Sequence, residues 1–318
     1  MRNEVASAGR IVVKVGSSSL TLPNGQLDQA RVAQLARLLS EAHERGARVV
    51  LVTSGAIAAG IGPLGLRRRP RDLETQQAAA AVGQGQLVRA YSDAFAEHGL
   101  LIAQLLLTVE DVLRPKTYRN ALNTISRLFR LGVVPIVNEN DTVATHEIRF
   151  GDNDRLAALI AHLVRADALI LMSDVDALYT AHPDTPGAER IDRVENLAKL
   201  KVDTSRLGSR VGTGGMRTKL LAADIATQAG VSVVLGHADD LGAALAGEDV
   251  GTFFPARKRR RPRRLLWLAF AAEPRGRLHV DDGASIALRR GKASLLAAGI
   301  TRVEGTFAEG EPVEIVGA

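Results

Sequence analysis

The chain of 318 residues contains no cysteine. That absence excludes a disulfide framework, a thiolate metal site and a cysteine nucleophile. Long apolar runs are missing as well. Leu100 to Leu107 is interrupted by Gln104, and a run of that length falls far short of a membrane span. Met1 to Val5 lead almost directly into a strand-like segment and leave no space for a secretory leader, so the expected location is the cytoplasm. Familiar catalytic signatures are also absent. No G-x-x-x-x-G-K-[ST] loop occurs, no G-x-G-x-x-G opens a helix and no G-x-S-x-G marks a nucleophile. The seven histidines show no H-x-x-x-H or similar ligand spacing, and no metal held by protein side chains alone is expected.

What is there is ordinary for a soluble globular protein: 46% hydrophobic and 24% charged residues, at a length that buries a sizeable core. The net charge of +6 is local. Seven of the eight residues from Arg257 to Arg264 are basic, and without them the chain sums to −1. Lysine is scarce, with 7 among 41 basic residues. A motif that uses lysine therefore stands out.

Along the chain, β-branched strand patterns alternate with amphipathic helical ones. Residues 10–15 read as a buried strand. Asp28 then reads as the N-cap of a helix with Val32, Leu35, Leu38, Leu39 and Ala42 on one face, ended at Gly46. Further strands are expected over 48–53, 100–107, 133–137, 168–172 and 231–235, with helices over 72–98, 117–131, 153–165 and 215–229. This alternation predicts a three-layer α/β/α sandwich with a mainly parallel central sheet. Ligands of such sheets sit at the carboxyl ends of the strands. The Gly, Pro and Arg content around 247–262 marks a boundary. The expected organisation is a catalytic domain over 1–255, a basic linker over 256–264 and a small β-rich module over 265–318, with short strands at 265–270, 277–280 and 313–316.

Two loops carry lysine among small residues. Lys14-Val15-Gly16-Ser17-Ser18-Ser19 follows the first strand, and Gly212-Thr213-Gly214-Gly215-Met216-Arg217-Thr218-Lys219 directly precedes a helix. Glycine lets backbone N–H groups approach a phosphate, and a helix N-terminus offers unpaired donors to an anion. Either loop alone reads equally well as a tight connection with a surface lysine. Two of them point to a polyphosphate held from both ends. A third cluster is rich in acids and amides: Asn138-Glu139-Asn140-Asp141-Thr142, then Phe150-Gly151-Asp152-Asn153-Asp154. Such residues are turn formers and caps, but these two loops hold more of them than two turns need. They suit orienting lysines, holding Mg2+ through phosphate and water, or binding an amino group. Ser173-Asp174 follows a run of Leu, Ile and Met and by itself reads as a structural turn.

Taken in order, Lys14 to Ser18, Thr53-Ser54-Gly55-Ala56, Asn138 to Asp141, Phe150 to Asp154, Ser173-Asp174 and Gly212 to Lys219 resemble the amino acid kinase family over about residues 10–250, and within it the members that phosphorylate glutamate. The resemblance implies transfer of phosphate from ATP with Mg2+ to the side-chain carboxylate of L-glutamate, the first step of proline biosynthesis. Lys14, Lys219 and Asp154 are then catalytic, the lysines facing the phosphates from opposite sides with Asp154 holding both. Ser54, Asp141 and Asn153 match the glutamate contacts. Lys14, Gly16, Ser17, Ser173, Asp174, Thr213, Gly214, Gly215, Met216, Arg217, Thr218 and Lys219 match the nucleotide contacts. A homo-oligomer (dimer or tetramer) and feedback inhibition by proline are implied as well.

From Trp267 onward the tail resembles the first half of a PUA domain, ending at Ala318 where further strands are expected. A rival reading is an amino acid kinase acting on aspartate or acetylglutamate, against which the Asp141 and Asn153 loops argue. Another is an RNA-binding protein using the arginine run. That run lacks interleaved aromatic rings, and RNA binding by it is not expected. A catalytically silent scaffold is disfavoured by the presence of both lysines and Asp154.

Overall fold

The computed structural model describes residues 2–22, 26–143, 152–197, 200, 215–257, 275–291, 293–309 and 312–317. The chain forms two compact units, Met1–Arg261 and Pro262–Ala318.

In the first unit a seven-stranded sheet runs in the order β3-β4-β2-β1-β5-β8-β9. Its strands are β1 (Arg10–Val15), β2 (Arg48–Val52), β3 (Ile102–Leu107), β4 (Val134–Glu139), β5 (Ala168–Ser173), β8 (Ser232–His237) and β9 (Thr252–Phe254). β6 (Leu178–Tyr179) and β7 (Arg190–Ile191) form a separate antiparallel pair after β5. The six strands from β3 to β8 are parallel, and β9 alone pairs antiparallel, with Val234 opposite Phe253. The expected alternation is present, with strand ends displaced by one or two residues. β9 is a strand the sequence pattern does not predict; it falls where the composition marks a boundary.

The helices are α1 (Asn3–Ala6), α2 (Gln29–Glu44), α3 (Ala56–Ile61), α4 (Leu73–Ala96), α5 (Val109–Leu113), α6 (Pro115–Arg130), α7 (Asp152–Val164), α8 (Met216–Gln228) and α9 (Leu241–Leu245). Asp28 caps α2, accepting from the N–H groups of Ala30 and Arg31 at 3.0 and 3.2 Å. Val32, Leu35, Leu39 and Ala42 are buried on its inner face. Side chains alternate across β1. Ile11, Val13 and Val15 join the core formed with α2, α4 and α9, while Val12 and Lys14 point to the opposite face, where α7 lies. That alternation decides the site: one polar residue in a buried strand is aimed between β1 and α7.

The second unit has a three-stranded sheet, β11-β10-β12, from β10 (Gly276–Val280), β11 (Ile300–Gly305) and β12 (Glu314–Gly317), plus α10 (Asp282–Arg289) capped by Asp281. β10 and β12 match the strands expected at 277–280 and 313–316. β11 and α10 are additional, and the segment 265–270 lies outside the described residues.

Candidate active site

The parallel strands end together, and their ends carry the polar residues. β1 ends at Val15. Gly16 then caps a 3-10 turn, Ser17–Ser19. A Cβ on Gly16 would stand 3.7 Å from Lys14 Nζ, so a side chain there would grow beside the ammonium. After β2, the chain turns through Thr53, Ser54 and Gly55, and Gly55 sits at φ +106°, a conformation glycine adopts without a Cβ clash. β4 delivers Asn138 and Glu139, both buried. β5 ends at buried Ser173, whose hydroxyl donates to Asp174 Oδ1 at 2.9 Å.

Three charged side chains meet inside this edge. Lys14 Nζ lies 2.6 Å from Asp154 Oδ1, and Lys219 Nζ lies 3.1 Å from Asp154 Oδ2. The Thr218 hydroxyl donates to the same Oδ2 at 2.9 Å. Asp154 is in the first turn of α7 and Lys219 in the first turn of α8, so two helix starts bring their side chains to one strand end. All three are buried. Burial pushes the Asp154 carboxyl up, but the Lys14 and Lys219 ammoniums outweigh it and hold the group at about 2. Burial lowers Lys14, and Asp154 offsets part of that shift. Two ammoniums and one carboxylate leave a net positive charge shielded from water, a setting made for an anion.

Beside it is an amide network. Asn153 Nδ2 donates to Ser54 Oγ at 2.9 Å and to Asn138 Oδ1 at 3.3 Å. Asn138 Oδ1 also accepts from the Glu139 N–H at 2.9 Å, and its Nδ2 donates to Gln84 Oε1 at 2.7 Å. Asp141, on the loop after β4, is largely withdrawn from water. Burial pushes its carboxyl up to about 6 against the opposing field of Arg69. Among the described residues Asp141 has no hydrogen-bond or ion-pair partner, so its acceptor capacity is unspent.

Of the residues singled out from the sequence, Lys14, Asp154 and Lys219 come together, Ser54 and Asn153 touch each other, and Gly16, Ser17, Ser173, Asp174 and Asp141 line the same sheet edge. Gly215 caps α8, and Met216, Arg217 and Thr218 form its first turn with Lys219. Thr213 and Gly214 lie outside the described residues. Gln84 and Arg69 were not singled out. Neither sits in a motif, since each reaches the site through packing of the α3–α4 region. Among the described residues there is no group of three or more His, Asp and Glu side chains placed to hold a metal.

Comparison with known proteins follows the same division. The amino acid kinase family model matches residues 9–237, and the PUA domain model matches residues 276–318. Glutamate 5-kinase from Cutibacterium acnes is 60% identical over 315 residues, spanning 99% of this chain and 81% of its own length. The glutamate 5-kinases of Thermobifida fusca and Salinispora arenicola are 57% and 56% identical, covering 99% of this chain and 82% and 86% of theirs. Among solved structures, a carbamate kinase from Giardia lamblia bound to AMP-PNP superposes with a TM-score of 0.57. It is 17% identical and covers 79% of this chain and 100% of its own, a likeness of fold.

Proposed function

The chain belongs to the amino acid kinase family, and we propose that it transfers the γ-phosphoryl group of ATP to the side-chain carboxylate of L-glutamate. The product is L-glutamyl 5-phosphate, the acyl phosphate that opens proline biosynthesis. The observation that carries this reading is the buried Lys14–Asp154–Lys219 cluster set beside the Ser54–Asn153–Asn138 amide network. Trapping the acyl phosphate with hydroxylamine tests it.

The chemistry asked of the protein is limited. A glutamate side chain has a free pKa of about 4.3 and is already a nucleophile at neutral pH. No general base is needed. The obstacle is repulsion between an anionic acceptor and an anionic phosphate, roughly 4 kcal/mol for two unit charges 4 Å apart at an effective dielectric of about 20. Lys14 would stabilise the transferring phosphoryl group, with the Gly16 and Ser17 N–H groups as further donors. Lys219 and the first turn of α8 would neutralise the β- and γ-phosphates from the other side. Asp154 holds both ammoniums in place, so their orientation costs nothing at the moment of transfer. Ser173, Asp174 and the segment 213–219 would line the nucleotide.

On the acceptor side, Ser54 and Asn153 would orient the glutamate, and Asp141 would pair with its α-ammonium. Mg2+ would enter as a companion of ATP, held mainly by phosphate oxygens and water, with Asp174 as the carboxylate that could accept from that water. Bound there, it would spread the phosphate charge further. Feedback inhibition by proline and a homo-oligomeric state belong to the same proposal.

A further inference from the structure

α4 carries no residue of the proposed chemistry, yet it touches the acceptor side at three points along one face. Gly83 packs against α3 so closely that a Cβ there would stand 1.9 Å from the Ala56 carbonyl oxygen. Next to it, Gln84 Oε1 accepts from Asn138 Nδ2 at 2.7 Å. Two turns on, the Tyr91 and Thr53 hydroxyls lie 2.8 Å apart, both buried. The helix is therefore bonded to the ends of β4 and β2, and it meets α3 in backbone contact.

We propose that Gln84 is a positioning residue for the acceptor: its side-chain oxygen fixes Asn138, and Asn138 fixes the Asn153 amide that meets Ser54. Asn138 is 1% exposed, so its Nδ2 has no water to turn to when Gln84 is removed. With Nδ2 held, Asn138 Oδ1 has one direction left. It accepts there from both Asn153 Nδ2 and the Glu139 N–H. Asn153 is thereby kept with its nitrogen toward Ser54 and its oxygen toward the Glu139 N–H, 3.3 Å away. An asparagine free to flip would offer a donor where the site needs an acceptor. The contact runs through the Gln84 oxygen alone, since Gln84 Nε2 is buried without a hydrogen-bond partner among the described residues. Chains of this kind act as a unit.

The inference rests on the glutamate reading above, and its test separates the two. Steady-state kinetics are run on the full chain with glutamate and ATP varied in turn. Gln84→Met is expected to raise the glutamate KM about tenfold, the worth of one buried hydrogen bond, while kcat and the ATP KM stay within about twofold. Gln84→Glu keeps an acceptor oxygen at the same reach and is expected to remain near wild type. On an Asn138→Ala background, Gln84→Met is expected to add nothing, the signature of residues acting through one another. A wild-type glutamate KM in Gln84→Met, an equal rise for both substrates, or additive losses in the double variant would each overturn the relay. If Gln84→Met does not fold, Gln84→Glu decides: a tenfold rise there overturns it and a near-native KM supports it. A wild-type enzyme without saturable glutamate dependence would overturn the functional reading and the relay together.

Discussion

Lys14 and Asp154 meet at 2.6 Å with the carboxylate fully withdrawn from water and the ammonium nearly so. A buried ion pair is a weak device for stability, because desolvation offsets most of the attraction. Here one carboxylate serves two lysines, and the cluster keeps a net positive charge. That surplus is electrostatically poor for a resting fold and useful for holding phosphate. The cluster makes physical sense as a site before any substrate is named.

Lys14→Ala leaves Asp154 paired with Lys219 and Thr218, so the fold is expected to survive with little loss of stability. Turnover is expected to fall about 10²–10³-fold, the usual scale for removing one aligned electrostatic donor, with the glutamate KM changed only a few-fold. An unchanged kcat would remove Lys14 from the mechanism.

Asp154→Asn removes the carboxylate that both buried ammoniums bond and sets them against each other. A loss of about 3–5 kcal/mol in unfolding free energy is expected, the range for breaking a buried pair from one side, and denaturant titration measures it. The folded-state pKa of about 2 lies below the ordinary carboxylate value of 3.8. Asp154 therefore contributes stability that is present above the ordinary value and is lost as pH falls toward about 2. The variant is expected to lack that part of the acid limb.

Asp141 has the opposite sign. Its carboxyl is raised to about 6 by burial, so the folded state holds a proton that the unfolded chain has released, and stability declines as pH rises from about 4 through 6. Asp141→Asn is expected to raise Tm by a few degrees above pH 7 while raising the glutamate KM. In the wild type the glutamate KM is expected to climb as pH falls below about 6, because a neutral carboxyl is a poor partner for the ammonium. An effect confined to the ATP KM would refute the role.

Gly83→Ala forces a methyl carbon to within 1.9 Å of the Ala56 carbonyl oxygen. The α3–α4 pair must separate, at a cost of about 1–3 kcal/mol or more, and Ser54 at the entry to α3 moves with it. A lowered Tm together with a raised glutamate KM is expected. Wild-type kinetics in a folded Gly83→Ala would detach α3 packing from the acceptor site.

The layered fold was legible because its cues are local: β-branched runs at 10–15 and 48–52, the Asp28 cap, and a polar Lys14 in an apolar strand. The short elements were not. β9 has three residues and owes its pairing to β8, and α10 and β11 lie in a stretch without long periodic patterns. Within the site, Lys14, Asp154 and Lys219 stood out as rare lysines and a dense acid-amide run, and the resemblance supplied their grouping. That Asp154 divides its two oxygens between them comes from where α7 and α8 begin, which depends on long-range packing. Gln84 carried no signal at all, since its neighbours in sequence are small residues on a helix and its partner Asn138 is 54 positions away.

The most direct measurement is acyl hydroxamate formation in the presence of ATP, Mg2+ and hydroxylamine, with L-glutamate, L-aspartate and N-acetyl-L-glutamate in parallel, each with and without proline. The expected result is signal with L-glutamate alone, lost when proline is added. Signal with L-aspartate or N-acetyl-L-glutamate in place of L-glutamate would contradict the assigned acceptor, and silence with all three would contradict the transfer itself.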